Sequence, residues 1–207
     1  MRRKVVISLF DLTTNMVRPW AEAGYLCYCV DLQHAKGERR AGNIITVGAD
    51  ALTWWPPYDT EIIMVIGQSP CTDVAVSGAR WFKEKGLPAL VHALALFNRA
   101  REIAEWCGAP YILENPVGVI SSHWRKPDYI FDPCDYGDPY TKKTCLWTGG
   151  GFVMPPKNRV DPIEGSKMHR LPPTPDRANL RSAAPMGFAR AVFQSNHRKA
   201  VSESSGE

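Results

Sequence analysis

Five residues with reactive or hydrogen-bonding side chains stand where apolar runs of the sequence end. They are Asp11, Asp31, Asp50, Cys71 and Glu114. The runs before them are rich in β-branched residues without polar alternation, which predicts strands buried on both faces. In an open parallel sheet, ligands bind outside the carboxyl ends of the strands. The sequence therefore predicts one site that gathers four carboxylates and a thiol at one edge of a sheet.

Cys71 is the most informative of the five. It follows the run IIMVIG (62–67) in the loop SPCTDVAVSG, whereas structural cysteines are usually packed among apolar neighbours. A thiol near backbone N–H groups of a turn can have a lowered pKa and act as a nucleophile. Glu114, in the segment ILENP, could protonate or hydrogen-bond the group that the thiol attacks. A loop cysteine without a catalytic role remains the alternative.

The acidic residues of the first half suggest a nucleoside-binding edge. Asp31 follows Asp11 by 31 − 11 = 20 residues, and an acid at this position commonly binds the ribose hydroxyls of an adenosine. Asp50 ends the next strand, where it could accept a hydrogen bond from an adenine amino group. The alternative for both is an aspartate that only terminates a strand.

The elements that must position these residues alternate between strand and helix. We predict strands at 4–10, 25–32, 43–50, 60–67 and 109–116, a short helix closed by Gly24, and longer helices at 87–108 and 186–196. TCLWT (144–148) is a further strand, and the rest of residues 127–156 is predicted as loop. In the helix at 87–108, an apolar stripe from Leu90 to Ala104 faces the core, and His92 lies on the surface. The alternation predicts an open, mostly parallel α/β sheet.

Length and composition limit the possible classes of protein. A chain of 207 residues accommodates one full domain, predicted at 1–198, with residues 199–207 as a disordered tail. A net charge of +4 is compatible with an anionic partner without requiring one. No export signal or membrane-length apolar run is present, so the six cysteines are predicted to be reduced thiols of a cytoplasmic protein. No CxxC or paired-histidine spacing occurs, and no metal site is predicted.

Several segments together resemble the DNA cytosine carbon-5 methyltransferases. SPCTDVAVSGAR resembles the Pro-Cys nucleophile loop of that family, and YILENPVG resembles its Glu-Asn-Val segment. VISLFDLTTNMVRPWAEAGYLCYCVDL and VGADAL are similar to its cofactor-binding blocks. RLPPTPDRANL and RSAAPMGFARAV are similar to its late blocks. The resemblance covers most of the chain in the family's order and is strongest to short, phage-type members.

The resemblance implies a Rossmann-like class I methyltransferase fold with helices on both faces of the sheet, and S-adenosylmethionine as cofactor. Cys71 would add to carbon 6 of a cytosine while Glu114 holds ring nitrogen 3; in a duplex the base must first be flipped out. The implied cofactor-binding residues are Phe10, Asp11, Thr13, Thr14, Asp31, Asp50 and Ala184. The implied substrate-binding residues are Pro70, Ser77 and Asn115.

The sequence departs from the family pattern at three places. The first loop, DLTTNM, lacks the family's glycines, although Thr13, Thr14 and Asn15 could hydrogen-bond a carboxylate. Lys142 and Lys143 stand where the family carries arginines, and lysine lacks the bidentate fork. Two solvated lysines are the alternative there.

The third departure is the absence of a target-recognition domain, because only about twenty residues, 149–168, separate TCLWT from HRLPPTP. We therefore expect low sequence specificity, a separate recognition protein, or a free cytosine nucleotide as substrate in place of duplex DNA. A silent binding module, and transfer of a different group from a modified S-adenosylmethionine, remain alternatives.

Overall fold

The computed structural model describes residues 2–197; the predicted tail lies outside this range. Within it, one sheet contains eight strands. Their bounds are β1 Arg3–Leu9, β2 Leu26–Val30, β3 Gly37–Ala41, β4 Ile44–Gly48, β5 Thr60–Gly67, β6 Tyr111–Pro116, β7 Tyr129–Phe131 and β8 Thr144–Gly149. The strong apolar runs are the central strands, as expected for a sheet covered on both faces.

The strand order across the sheet is β3-β4-β2-β1-β5-β6-β8-β7. Strands β4, β2, β1, β5 and β6 are mutually parallel, whereas β3 pairs antiparallel with β4, and β8 pairs antiparallel with both β6 and β7. Read across the sheet, the five parallel strands β4, β2, β1, β5 and β6 are therefore the third, second, first, fourth and fifth parallel strands along the chain. The order reverses between β1 and β5, which makes the crevice at their carboxyl ends the topological switch point.

Helices cover both faces of the sheet within the described chain. Their bounds are α1 Arg18–Glu22, α2 Phe82–Cys107, α3 Ile120–His123, α4 Arg177–Ser182 and α5 Met186–Asn196. On one face, buried residues of α2 such as Phe97 and Ile103 pack on the sheet and form the first core. On the other face, Trp20 of α1 and Phe188 of α5 pack into the second core. The α/β architecture expected from the sequence is thus present.

The predicted helix at 87–108 matches the regular part of α2. The helical geometry is interrupted at Gly86, whose φ of 70° and ψ of −174° lie outside the helical region, and the stretch from Leu87 onward is continuous. Gly108 caps the helix in the left-handed conformation that glycine adopts without strain. His92 is exposed, as expected.

Other bounds agree to within a few residues, and four elements were not predicted. Strand β5 and helix α5 have the predicted bounds, and TCLWT forms most of β8. The unpredicted elements are β3, β7, α3 and α4. Within residues 2–197, no helix is both long and apolar enough to cross a membrane.

Candidate functional site

The predicted site residues follow neighbouring strands of the sheet. The three aspartates follow strands by one or two residues: Asp11 follows β1, Asp31 follows β2 and Asp50 follows β4. Cys71 comes four residues after β5, and Glu114 lies near the end of β6. Because these five strands are parallel and adjacent, all five side chains belong to one edge. The switch point between β1 and β5 separates the three aspartates from Cys71 and Glu114.

The thiol of Cys71 is half-buried against the first core, and it lies close enough to Glu114 for the two to interact electrostatically. Burial raises the pKa of the Cys71 thiol above its ordinary value, and the Glu114 carboxylate raises it further. The positive charges of Lys142 and Arg181 act in the opposite direction on this pKa, as does the backbone N–H of Cys71 itself. The charges of Glu114, Lys142 and Arg181 therefore all act on the Cys71 thiol.

An apolar cleft opens beside Glu114 on the side of the second core. Four polar residues line this cleft: Gln68, Glu114, Lys142 and Thr144. Its apolar lining consists of Met16, Ile66, Ile112, Phe131, Ala184, Pro185 and Phe188. The Glu114 Oε1 atom is buried and has no hydrogen-bond partner in the described structure. A buried carboxylate oxygen without a partner is costly, so this atom is available to a ligand that carries a donor.

The two predicted lysines differ in position. Lys142 is half-buried and lines the cleft, and its backbone N–H donates to Asp132 Oδ1 at 2.8 Å. Lys143 is exposed; its charge acts on buried Cys145, which belongs to the first core. Only Lys142 therefore shares the cleft with Glu114.

Asn115 ties the Cys71 loop to strand β6. Its side chain is fully buried, and Nδ2 donates to the carbonyl oxygen of Ser69 at 3.1 Å and to Ser69 Oγ at 3.2 Å. Asn115 was predicted to bind substrate; its Nδ2 donor is engaged by Ser69, two residues before Cys71, whereas its buried Oδ1 atom has no hydrogen-bond partner within residues 2–197. Its observed contacts hold the loop that carries Cys71 against β6.

The loop is also paired with the segment that follows β6. The Val76 N–H donates to Val117 O at 3.0 Å, and the Val119 N–H donates to Val74 O at 2.8 Å. A Cβ at Gly118 would overlap the carbonyl oxygen of Val74, so this close backbone approach requires glycine. The segments that carry Cys71 and Glu114 are therefore held together by their main chains.

The loop after β1 is organised around the buried carboxylate of Asp11. Ser8 Oγ donates to Asp11 Oδ2 at 3.0 Å and Thr13 Oγ1 donates to Oδ1 at 3.2 Å, while burial raises the pKa of the carboxyl group. Asn15 Nδ2 donates to Ala184 O at 3.0 Å. The side chains of Asp11, Thr13 and Asn15 thus make hydrogen bonds within the protein, and their binding of a cofactor stays a prediction.

Two residues of this loop adopt a conformation that favours glycine. Phe10 has a φ of 62° and Thr14 a φ of 59°. For a β-branched residue such as Thr14 this region costs about 1–2 kcal/mol. In the described chain, Phe10 and Thr14 are the two non-glycine residues with positive φ, and both lie in the loop after β1. Strained backbone is concentrated at functional sites.

Asp31 and Asp50 lie at the solvent-accessible part of the edge. Asp31 Oδ1 accepts a hydrogen bond from the Gln33 N–H at 2.8 Å, and Asp50 Oδ1 accepts one from the Leu52 N–H at 2.9 Å. The other carboxylate oxygen of each has no hydrogen bond from residues 2–197, which leaves an acceptor for a ligand. Leu32, next to Asp31, is 73% exposed.

Pro70 and Ser77, predicted to bind substrate, are exposed on either side of Cys71.

Three further residues of the site were not predicted. Gln68 lines the cleft and its side chain donates to Ser8 Oγ at 3.5 Å, Thr144 lines the cleft, and Arg181 acts on Cys71. Gln68 stands at a strand end, which was an available signal; Arg181 has no local sequence pattern that marks it.

Within residues 2–197 there is no group of three or more His, Cys, Asp or Glu side chains arranged to hold a metal ion. Comparison with protein-family models, with curated proteins and with solved structures finds no match to this chain. Its function therefore has to be inferred from the residues at the strand ends and from their geometry.

Proposed function

We propose that the chain transfers a methyl group from S-adenosylmethionine to carbon 5 of cytosine, in DNA or in a cytosine nucleotide, through a covalent adduct with Cys71. The observation that supports this most strongly is that a half-buried thiol interacts electrostatically with Glu114 and Lys142, two residues that line one cleft, where the Glu114 Oε1 atom has no hydrogen-bond partner within residues 2–197. The parallel strand order, with its switch point at this cleft, supports a Rossmann-like methyltransferase fold.

In the proposed reaction, the Cys71 thiolate forms a bond to carbon 6 of the base. Glu114 donates a proton to ring nitrogen 3, so that the electron pair displaced by the thiolate does not leave a full negative charge on the ring. Carbon 5 thereby becomes the nucleophile, and the cofactor supplies the methyl group. The carbon-5 proton passes to solvent as the thiolate is expelled, and the proton on nitrogen 3 returns to Glu114, which restores the ring and the enzyme.

The residues at the β2 and β4 ends fit a nucleoside-containing cofactor. Asp31 and Asp50 each keep one carboxylate oxygen without a partner in the described chain, and exposed Leu32 offers an apolar surface beside them. Their place on the other side of the switch point from Cys71 leaves the cleft to the base.

The test is nucleoside mass spectrometry of the DNA and of the nucleotide pool from cells that express the chain. We expect 5-methylcytosine, or another cytosine modified at carbon 5, with the native sequence and none with Cys71→Ser. Cys107→Ser, which removes a half-buried thiol at the far end of α2, should leave the product unchanged. Equal product from native chain and Cys71→Ser would disprove the covalent mechanism.

A binding module that has lost cofactor chemistry is the second candidate. It is favoured by the loop after β1, where Thr13 and Asn15 are engaged within the protein and no glycine stands. Calorimetric titration with S-adenosylmethionine and with its demethylated product separates the two. Heat of binding supports the methyltransferase, and no heat at millimolar ligand supports the module.

A further inference from the structure

Gln68 lies where the loop after β1 meets the apolar cleft. It directly follows β5, and its backbone N–H donates to Leu9 O at 3.1 Å, across the switch point between β1 and β5. The same residue lines the cleft together with Glu114. Gln68 therefore borders both the loop after β1 and the cleft.

The amide nitrogen of Gln68 is turned towards the loop after β1. Nε2 donates to Ser8 Oγ at 3.5 Å, and Ser8 Oγ in turn donates to Asp11 Oδ2 at 3.0 Å. Burial raises the pKa of the Asp11 carboxyl group, and a hydrogen bond from Gln68 acts against this rise, as a donor does. Since the nitrogen is the donor on this side, the carbonyl oxygen Oε1 is the atom left for a ligand, and it has no hydrogen bond from residues 2–197.

Two acceptor oxygens at the cleft are therefore without a donor. One is Gln68 Oε1, and the other is the buried Glu114 Oε1. The hydroxyl group of Thr144 donates to Lys142 O at 2.7 Å, and Lys142 forms no ion pair with Glu114 in the part of the chain that the structure describes. Acceptors that lose contact with water each need a donor, so the cleft favours a ligand whose N–H groups reach both oxygens.

An exocyclic amino group carries two N–H donors on one nitrogen, which matches two acceptors at one cleft. Cytosine has such a group at carbon 4, next to ring nitrogen 3, whereas uracil and thymine have a carbonyl oxygen there. A carboxyl group that gives its proton to nitrogen 3 from one oxygen keeps the other oxygen as an acceptor for the amino group. With uracil, a third oxygen would face the two acceptors and leave both unpaired.

We propose that Gln68 is a specificity-determining residue whose Oε1 atom accepts a hydrogen bond from the amino group of the target cytosine, with Glu114 as the second acceptor. The inference rests on the proposed function and narrows its substrate to pyrimidines that carry a 4-amino group. Gln68 acts by binding the base and transfers no proton.

The test is calorimetric titration of the full chain with cytosine, uracil and pyrimidin-2-one ligands. Each base is supplied as the 2′-deoxynucleoside 5′-monophosphate and as a single base within an oligothymidylate. Pyrimidin-2-one keeps nitrogen 3 and the carbon-2 carbonyl of cytosine and lacks only the amino group. We expect the native chain to bind the cytosine ligand about a hundredfold more tightly than either analogue, about tenfold for each acceptor left unpaired. No preference for cytosine in either format overturns the inference, and this comparison needs no variant.

A variant series assigns the preference to Gln68. Gln68→Met keeps the side-chain length without the acceptor and should lower the preference to about tenfold, whereas Gln68→Glu keeps an acceptor oxygen and should retain more of it. Gln194→Met, which makes the same replacement at an exposed position on α5, should preserve the preference in full.

An unchanged preference in Gln68→Met overturns the inference. An equal fall in affinity for cytosine and uracil ligands also overturns it, because that result indicates a structural role alone. None of these titrations requires methyl transfer, so absence of methylation with the preference intact contradicts the proposed function alone.

Discussion

At the scale of single residues, the central feature is the environment of one sulfur atom. Burial and Glu114 raise the pKa of the Cys71 thiol, while Lys142 and Arg181 lower it. The resting thiol is therefore mostly protonated at neutral pH. Since Glu114 and Lys142 line the cleft, a charged ligand bound there would change the electrostatic environment of the Cys71 thiol.

Neutralising single charges should move the reactivity of Cys71 in opposite directions. Glu114→Gln removes the carboxylate that raises the thiol pKa, so alkylation at pH 8 should become faster; Lys142→Gln removes a cation that lowers it, so alkylation should become slower. The measurement is the alkylation rate against pH, read by intact-protein mass spectrometry with Cys71→Ser as the blank. Shifts of the same sign in the two variants would contradict the assigned electrostatics.

The strain at Thr14 predicts an unusual glycine effect. Thr14→Gly relieves about 1–2 kcal/mol of left-handed strain against about 0.5–1 kcal/mol of added chain entropy, so the free energy of unfolding should stay constant or rise. Thr13→Gly is the matched control and should lower stability, because it removes the hydrogen bond to Asp11. Both are measured by denaturant titration. An equal loss in the two variants would show that Thr14 is not strained.

At the scale of elements, backbone pairing joins the nucleophile loop to β6. Asn115→Ala removes both hydrogen bonds to Ser69, and we expect a loss of roughly 1–3 kcal/mol in stability with faster amide exchange in residues 69–76. Asn43→Ala, which removes one hydrogen bond to Ala21, is the control and should leave exchange in that loop unchanged. Unaltered amide exchange in Asn115→Ala would mean that the backbone hydrogen bonds of Val117 and Val119 are sufficient to hold the loop.

The sequence specified the elements whose residues are apolar and closely spaced. Strand β5 and helix α5 were predicted with their observed bounds because their buried residues form a recognisable apolar pattern in the sequence. Strand β3, Gly37–Ala41, was not predicted because all of its residues are exposed and its pairing with β4 is made by the backbone alone. The partnership of Cys71 and Glu114 followed from the strand ends, whereas the effect of Arg181 on the thiol depends on where α4 packs, which no local pattern records.

At the scale of the whole molecule, the segment after β8 packs onto the domain. Phe152 and Met154 contact the second core, Pro155 O accepts a hydrogen bond from Tyr136 Oη at 3.2 Å, and Lys157 and Arg159 pair with Asp135. Residues 150–160 therefore contribute to the fold and are held against the domain, so they are not free to insert into a DNA groove.

From this we expect weak dependence on flanking sequence. A bidentate contact to a base edge contributes about 1–3 kcal/mol of discrimination, so a chain without such contacts should modify cytosines in different contexts at rates within about tenfold of one another. The measurement is the rate of carbon-5 modification on a set of oligonucleotides with randomised flanks, made with the purified chain. Preference for one context by more than about a hundredfold would show that base reading is built into this chain.

The ends of the sheet carry a further consequence. One outer strand is the short, exposed run Gly37–Ala41 with adjacent arginines, and the other, Tyr129–Phe131, is three residues long. Edge strands that are short or carry charged side chains offer few backbone groups for hydrogen bonding to a second copy of the chain. Concentrated solutions of this protein should accordingly resist the strand-to-strand stacking by which exposed sheets polymerise into fibres.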